Sequence, residues 1–402
     1  AELAALRPRA GSEYVYLREA YGPLAAFLTG WTSFVAGFSG AIAASAVGLA
    51  DYLGRFIPAA ADTTPLLVLP LPFVELAVTR KALVALTVIA ALSYVHIRGL
   101  GPGRLVQNTL AILKTLGLVV FVALGFSLGQ GTPANVTAAA GGVGPAGILM
   151  ALIPVMFTYS GWNAATYVAE EIRDPGRNVP LALGLGTGLV ILVYLALNVL
   201  YLYAMPVGEL AQVQGGLIDR ASERLFAFNL ADAVAVFTII SIAASISAMI
   251  FAGPRVYFAM ARDGLFLAPA ARVHPRYHTP ALSIVAQGLW SGVLVLSGTL
   301  SQLVSYTGFA VVLFSGIAVA GVFVLRRRYP DEPRPYRVWG YPLSPAVFVV
   351  AAVAMLVNEI WSRPTSALTG VAVILAGIPL YLWFTRRSRP PQGDAEATAA
   401  RS

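Results

Sequence analysis

The chain has 402 residues, of which 58% are hydrophobic and 11% charged, with a mean hydropathy of +0.75; a soluble globular chain carries about 25% charged residues. These values exclude a water-soluble globular protein and assign the fold class as an all-α polytopic membrane protein. The net charge of +8 implies no nucleic-acid partner, because the basic residues sit in short loops between apolar runs, and the absence of cysteine removes disulfides, thiolate metal ligands and thiol nucleophiles.

In chain order, AELAALRPRAGSEYVYLREAYG (1–22) reads as the tail of an apolar span followed by a basic polar loop, so sequence upstream of Ala1 is expected. Runs long enough to cross hydrocarbon, roughly 20 residues each, then fall at 21–51, 80–98, 104–128, 143–169, 180–204, 229–261, 280–298, 301–325, 342–361 and 365–385. Residues 1–385 thus form one transmembrane domain. TPLLVLPLPFVELAV, before Thr79, is too short and too rich in proline to span and is expected to pack on the rim as a loop. Residues 386–402 have the composition of a disordered tail.

Lys and Arg are distributed unequally. Most arginines, from Arg7 and Arg9 to Arg386 and Arg387, fall on one side; Arg55, Arg80, Lys81, Arg220, Arg224 and Arg363 fall on the other. That asymmetry predicts both termini in the cytoplasm.

The span at 143–169 carries PVMFTYSGWN, with Pro154, Ser160, Gly161 and Asn163 near its middle. Irregular backbone at membrane depth is tolerated only where protein buries it or it lines a cavity, so an interrupted span marks a transporter's binding site. A simple kink is the competing reading, and the stretch alone leaves both open. Lys114, inside RLVQNTLAILKTLGLVVFVALGF, is the one basic residue on neither side. Lysine at helix centre costs about 2.5–3.5 kcal/mol on insertion scales, which favours an inward-facing role over snorkelling to the surface. No carboxylate lies at mid-depth in the ten spans. Glu170 and Glu171 follow the interrupted stretch, either as a solvated loop or as a gate of ion pairs. His96, His274 and His278 lie at span ends or in loops. No arrangement of acids, histidines and nucleophiles converges, so neither an enzyme nor a metal or cofactor site is expected.

GWNAATYVAEEIRDPGRNVP after FTYS resembles the sixth helix and following loop of the amino acid–polyamine–organocation superfamily, most like its L-type amino acid transporter branch. AELAALRPRAGSEYVYLREAYG, VQNTLAILK, SAMIFAGPRVYFAMARDGLF and RRRYPDEPRPYRVWGYP are similar to that family's second-to-third, fifth and eighth helices and its loop between helices ten and eleven. The resemblance implies a leucine-transporter-type fold of five-plus-five inverted repeats. The ten spans here then correspond to family helices three to twelve, and the first helix with most of the second is absent.

That resemblance implies secondary transport of amino acids by alternating access, sodium-independent exchange or proton-linked uptake, in a bacterial inner membrane. The alternatives are a polyamine or organic-cation carrier of the same fold, or a non-transporting fragment. It also implies a substrate-binding set of Phe157, Thr158, Tyr159, Ser160, Gly161 and Asn163. Carbonyls around Phe157, Thr158 and Ser160 would take an α-ammonium group, the Phe157 ring would form an aromatic gate, and Asn163 would stand near the pocket. Lys114 would occupy the place of a sodium ion, with Ser245 and Ser247 as candidate partners. The lipid bilayer and an amino acid are the expected partners; the lack of cysteine argues against a disulfide-linked heavy subunit.

Overall fold

The computed structural model describes residues 1–387 apart from 71, 73, 74, 138–141, 143, 214, 215, 228, 229 and 299, and apart from the side chains of 100, 157, 300–307, 366 and 387. The expected tail therefore lies outside the described residues from 388 onward. Two short helices open the chain, α1 (Glu2–Leu6) and α2 (Glu13–Tyr21). The long helices follow: α3 (Pro23–Leu53, with a π-turn at Ser33–Gly37), α4 (Arg80–Ile97) and α5 (Leu100–Ser127). Next come α6 (Pro145–Thr158), a single turn α7 (Ala164–Tyr167), α8 (Pro175–Ala204) and α9 (Leu217–Leu225). The chain closes with α10 (Ala231–Arg262), α11 (Ala281–Ser297), α12 (Leu300–Arg328), α13 (Leu343–Ser362), α14 (Pro364–Leu375) and α15 (Gly377–Arg387).

Eight of the described helices are long and apolar enough to cross a membrane, and two shorter apolar helices, Pro145–Met156 and Ala281–Ser297, fall where the remaining spans were expected. The first of these stops early because its span is interrupted. The rim loop differs from expectation: Pro65–Pro70 and Glu75–Thr79 pair as an antiparallel hairpin. Leu66, Leu67, Val68 and Leu69 are all exposed on it. The Thr79 hydroxyl closes this element by accepting from the Ala82 amide at 3.0 Å, which caps α4. Proline at the first turn starts α3, α8 and α14, where its missing N–H costs nothing. Between α2 and α3 the chain reverses at Gly22, whose φ of +95° suits only glycine.

The core is built where small residues let helices approach. Ile42, Ala43 and Ala46 of α3 pack with Ala85 and Ile89 of α4, Ile246 and Ile250 of α10, and Ile284 of α11. Close contact through alanine and glycine is how helices associate in lipid, where burial of apolar surface supplies no drive. Gly30 is an example: a Cβ there would lie 2.2 Å from the Met260 sulfur, so α3 and α10 meet only because it is glycine. The outer faces stay apolar, with Leu105, Ile112 and Leu116 on α5 and Leu185 and Leu192 on α8 all exposed. Such extended apolar surface fits lipid rather than water.

A second cluster, Tyr14, Phe27, Tyr167, Tyr257 and Met260, lies at the arginine-rich end. There α1 and α2 are clamped to the loop after α12. Arg7 forms paired bonds to Glu19 (2.7 and 2.6 Å) and to Glu332 (2.6 and 2.9 Å). Glu2, buried, accepts from Arg326 at 2.8 and 2.7 Å and from the Val338 amide at 2.7 Å. Bidentate arginine–carboxylate pairs are the strong, directional kind. The Arg7 guanidinium holds the Glu332 carboxyl below the usual carboxylate range. A depressed carboxyl stabilises the fold at pH values above its ordinary pKa, and that contribution is lost as pH falls through the lowered value. Arg7→Ala is therefore expected to lower the melting temperature in detergent by several degrees at neutral pH. Its melting curve should also lose less on acidification than the unsubstituted chain's, which thermal unfolding at a series of pH values measures.

Candidate functional site

The interruption between α6 and α7 is a break in the hydrogen-bonding pattern, so the kink reading gives way to an unwound turn. Helical bonding ends where the Tyr159 amide donates to the Val155 carbonyl at 3.0 Å. Beyond it the bonds span three residues: Trp162 to Tyr159 (3.2 Å), Ala164 to Gly161 (2.9 Å) and Thr166 to Asn163 (2.8 Å). Gly161, at φ +92°, makes the turn in a region that side chains disfavour. Thr158, Ser160 and Gly161 are exposed. Among the described residues the Ser160 carbonyl receives no donor, which leaves it available to a ligand.

The Thr158 carbonyl is occupied. The Tyr194 hydroxyl of α8 donates to it at 3.1 Å, and the Tyr194 ring meets the Tyr159 ring edge-on with centroids 4.9 Å apart. Tyr194 was not singled out from the sequence, since a tyrosine in an apolar span carries no mark of its partner. Phe157 ends the regular part of α6; its side chain lies outside the described set. Asn163 faces inward rather than toward the exposed turn. Its amide nitrogen donates to Glu13 Oε1 at 2.8 Å and approaches the Tyr167 hydroxyl at 3.3 Å.

Glu13 was also missed, because it sits in a stretch that reads as a polar loop. The loop instead forms α2 and supplies the bonds that α7 cannot make for itself. Beside the Glu13 contact, Ser12 and Thr166 share a short hydroxyl–hydroxyl bond, and the Ala10 amide donates to Glu170 Oε2 at 3.0 Å. Glu170 and Glu171 are exposed and each also takes part in an ion pair. Arg255, whose side chain is 4% exposed, bonds Glu171 at 2.9 Å; Arg262, 53% exposed, bonds Glu170 at 3.2 Å. Arg255 also donates to the Phe251 carbonyl and lies 3.9 Å from the Phe251 ring centroid.

Lys114 turns inward and does not snorkel. Its Nζ donates to Ser245 Oγ of α10 at 3.1 Å, and Ser245 in turn donates to the Ser241 carbonyl at 3.2 Å. Gly117, one turn along α5, allows the approach: a Cβ there would lie 2.2 Å from the Phe237 ring. Ser247 is not part of this contact. Fully buried, it bonds His96 Nε2 at 2.9 Å. Residues two apart on a helix point in nearly opposite directions, so Ser245 and Ser247 cannot serve one ammonium together. Among the described residues no group of three or more His, Asp or Glu side chains could hold a metal ion.

Comparison with known proteins identifies the family. The profile of the amino acid permease family matches residues 1–384. The human cystine/glutamate transporter is 28% identical over 98% of this chain and 75% of its own length. The human b(0,+)-type amino acid transporter 1 is 28% identical over 96% of this chain and 76% of its own. The mouse large neutral amino acids transporter small subunit 2 is 28% identical over 95% and 70% respectively. All three are transporters rather than enzymes. The chain belongs to the amino acid permease family of multi-pass membrane transporters and is similar to its L-type members.

Proposed function

We propose that the protein is a secondary carrier of amino acids that works by alternating access around the 159–163 turn. The observation that carries this reading is the exposed break itself, in which Gly161 turns the chain and the Ser160 carbonyl has no donor among the described residues. A freed carbonyl at membrane depth is an acceptor for an α-ammonium group, and the end of α6 adds the negative pole of its helix dipole. Thr158, Ser160 and Gly161 supply the exposed wall, with Phe157 and Tyr159 beside them in sequence; Tyr194 fixes the Thr158 carbonyl, and Asn163 holds the inner side of the turn. The relatives' names, covering cystine, glutamate and large neutral amino acids, support an amino acid as substrate.

Lys114 supports sodium-independent exchange or proton-linked uptake. Its ammonium provides the charge that a sodium ion would bring, and Ser245 anchors it to α10. The arginine-rich end, with Arg7, Arg255, Arg262 and Arg326, is the cytoplasmic side by charge asymmetry. The Arg255–Glu171 and Arg262–Glu170 pairs then form the inner gate. A bacterial inner membrane, without a disulfide-linked subunit, is the expected setting.

Reconstituted uptake of labelled amino acids tests this reading. Phe157→Ala and Lys114→Ala are each expected to reduce uptake at least tenfold, a loss of about 1.4 kcal/mol or more, while replacing sodium with choline leaves the rate of the unsubstituted chain unchanged. Unaltered uptake in both variants, or a strict sodium requirement, would overturn it. The gate pairs should differ in weight. Glu171→Ala leaves the buried Arg255 without its carboxylate and is expected to cost about 2 kcal/mol, less than the 3–5 of a fully enclosed pair because Glu171 is 36% exposed and Arg255 keeps the Phe251 carbonyl. Glu170→Ala breaks an exposed pair and should cost under about 1 kcal/mol. Denaturant unfolding of the two variants side by side measures the difference.

A further inference from the structure

We propose that the Glu13 carboxylate is a proton-binding site whose protonation latches α7, the inner half of the broken segment, in its closed position. The carrier reading enters only in calling that closure a gate. Glu13 opens α2 and is wedged against α7, where Asn163 Nδ2 donates to Oε1 at 2.8 Å and the Tyr167 hydroxyl donates to Oε2 at 3.4 Å. The residue keeps some surface, but protein encloses the carboxylate closely.

No cation among the described residues neutralises it. The charged groups on the surrounding elements are engaged with one another. From α10, Arg255 is bonded to Glu171 and Arg262 to Glu170, while Asp263, just past its end, takes Arg18 and the Tyr14 hydroxyl of α2. Tyr257 of α10 stands behind Tyr167, and Tyr16 is the remaining titratable neighbour on α2. From α1 and α12, Glu2 and Arg326 pair together; Arg7 holds Glu19 and Glu332; and Arg328 donates to the Glu19 carbonyl. The near end of α3 brings no titratable side chain.

An enclosed carboxylate without a cation favours its neutral form. Burial pushes the Glu13 carboxyl up to about 7, against the opposing pull of its bonds from Tyr167 and Asn163. When α7 swings away the carboxylate meets water and returns to the ordinary range near pH 4.3. The closed latch therefore binds a proton more tightly than the open one. Closure is favoured most below about pH 4.3, weakens progressively as pH rises from there to about 7, and changes no further above it. The proton comes from the inner aqueous phase and binds Oε2, the oxygen that Asn163 leaves free. The Tyr167 hydroxyl then accepts that proton's hydrogen bond, and the Asn163 bond to Oε1 is kept.

The chain contains no cysteine, so a single introduced thiol reports without background. Ala169, fully buried against Ala4 and Tyr16, becomes reachable only when α7 and its following turn leave α1 and α2. The maleimide labelling rate of Ala169→Cys in lipid nanodiscs is compared with that of the same variant carrying Glu13→Gln, which cancels the thiol's own titration. The ratio is expected to be already above about ten at about pH 5.5, to rise at least about tenfold further by about pH 8, and to level off with its half-maximum near 7. Tyr167→Phe removes a donor from the ionised form and should move that midpoint upward. A ratio independent of pH, a midpoint in the ordinary carboxylate range, or no labelling at any pH would overturn the proposal. Should Glu13→Gln fail to fold, Ala169→Cys with and without Tyr167→Phe decides the question, because the two rates keep a fixed ratio below about pH 7 and diverge above it. No substrate enters the readout, so a failure of amino acid uptake and a failure of the latch are told apart.

Discussion

A helix broken inside a bilayer leaves backbone and side-chain polar groups that water cannot satisfy, and the architecture at the arginine-rich end follows from that constraint. The inner half of the broken segment is one turn long, too short to satisfy itself. It is held by a strip of residues 154 positions away in the case of Ser12 and Thr166. Ala10, Ser12 and Glu13 meet Glu170, Thr166 and Asn163 in sequence order along one edge. The outer half receives a cross-bond from Tyr194. The unequal support means that the inner half moves only by exchanging a whole row of partners at once.

The second constraint is charge. Arg255 is nearly removed from solvent, and an arginine so placed needs Glu171, the Phe251 carbonyl and the Phe251 ring together. The same logic places Lys114. A lone ammonium facing lipid would be costly, while one facing α10 finds hydroxyls, and Gly117 is what lets the two helices come close enough for the Ser245 bond.

Much of this is legible in the sequence because lipid is a severe solvent. It demands about 20 apolar residues per crossing, which places the spans within a few residues, and it penalises irregular backbone, which makes Gly161 and Ser160 conspicuous. Lys114 is conspicuous for the same reason, and Ser245 is among its expected partners. What a string of letters does not carry is facing. Ser245 and Ser247 look alike in it, yet a helix points them apart, and only the packing of α5 against α10 decides which one meets the lysine. Asn163 bears no sign that it turns toward α2. Glu13 and Tyr194 are invisible because their partners lie 150 and 36 residues away. The hairpin at 65–79 reads as a loop because its prolines break a run that carries no alternation, all of Pro65–Pro70 being exposed, and prolines are tolerated in strands only at an edge.

The clamp made by Arg7 joins residues 325 positions apart. A contact of such separation closes only after nearly the whole chain has been synthesised and inserted, since the loop carrying Glu332 follows α12. Until then α2 is held on its other side, by Arg18 and Tyr14 on Asp263 and by the strip's bonds to 163–170. The order of assembly thus runs opposite to the order of the sequence at this end of the molecule. The Arg7 clamp is among the last of the contacts around residues 2–21 that the growing chain can complete.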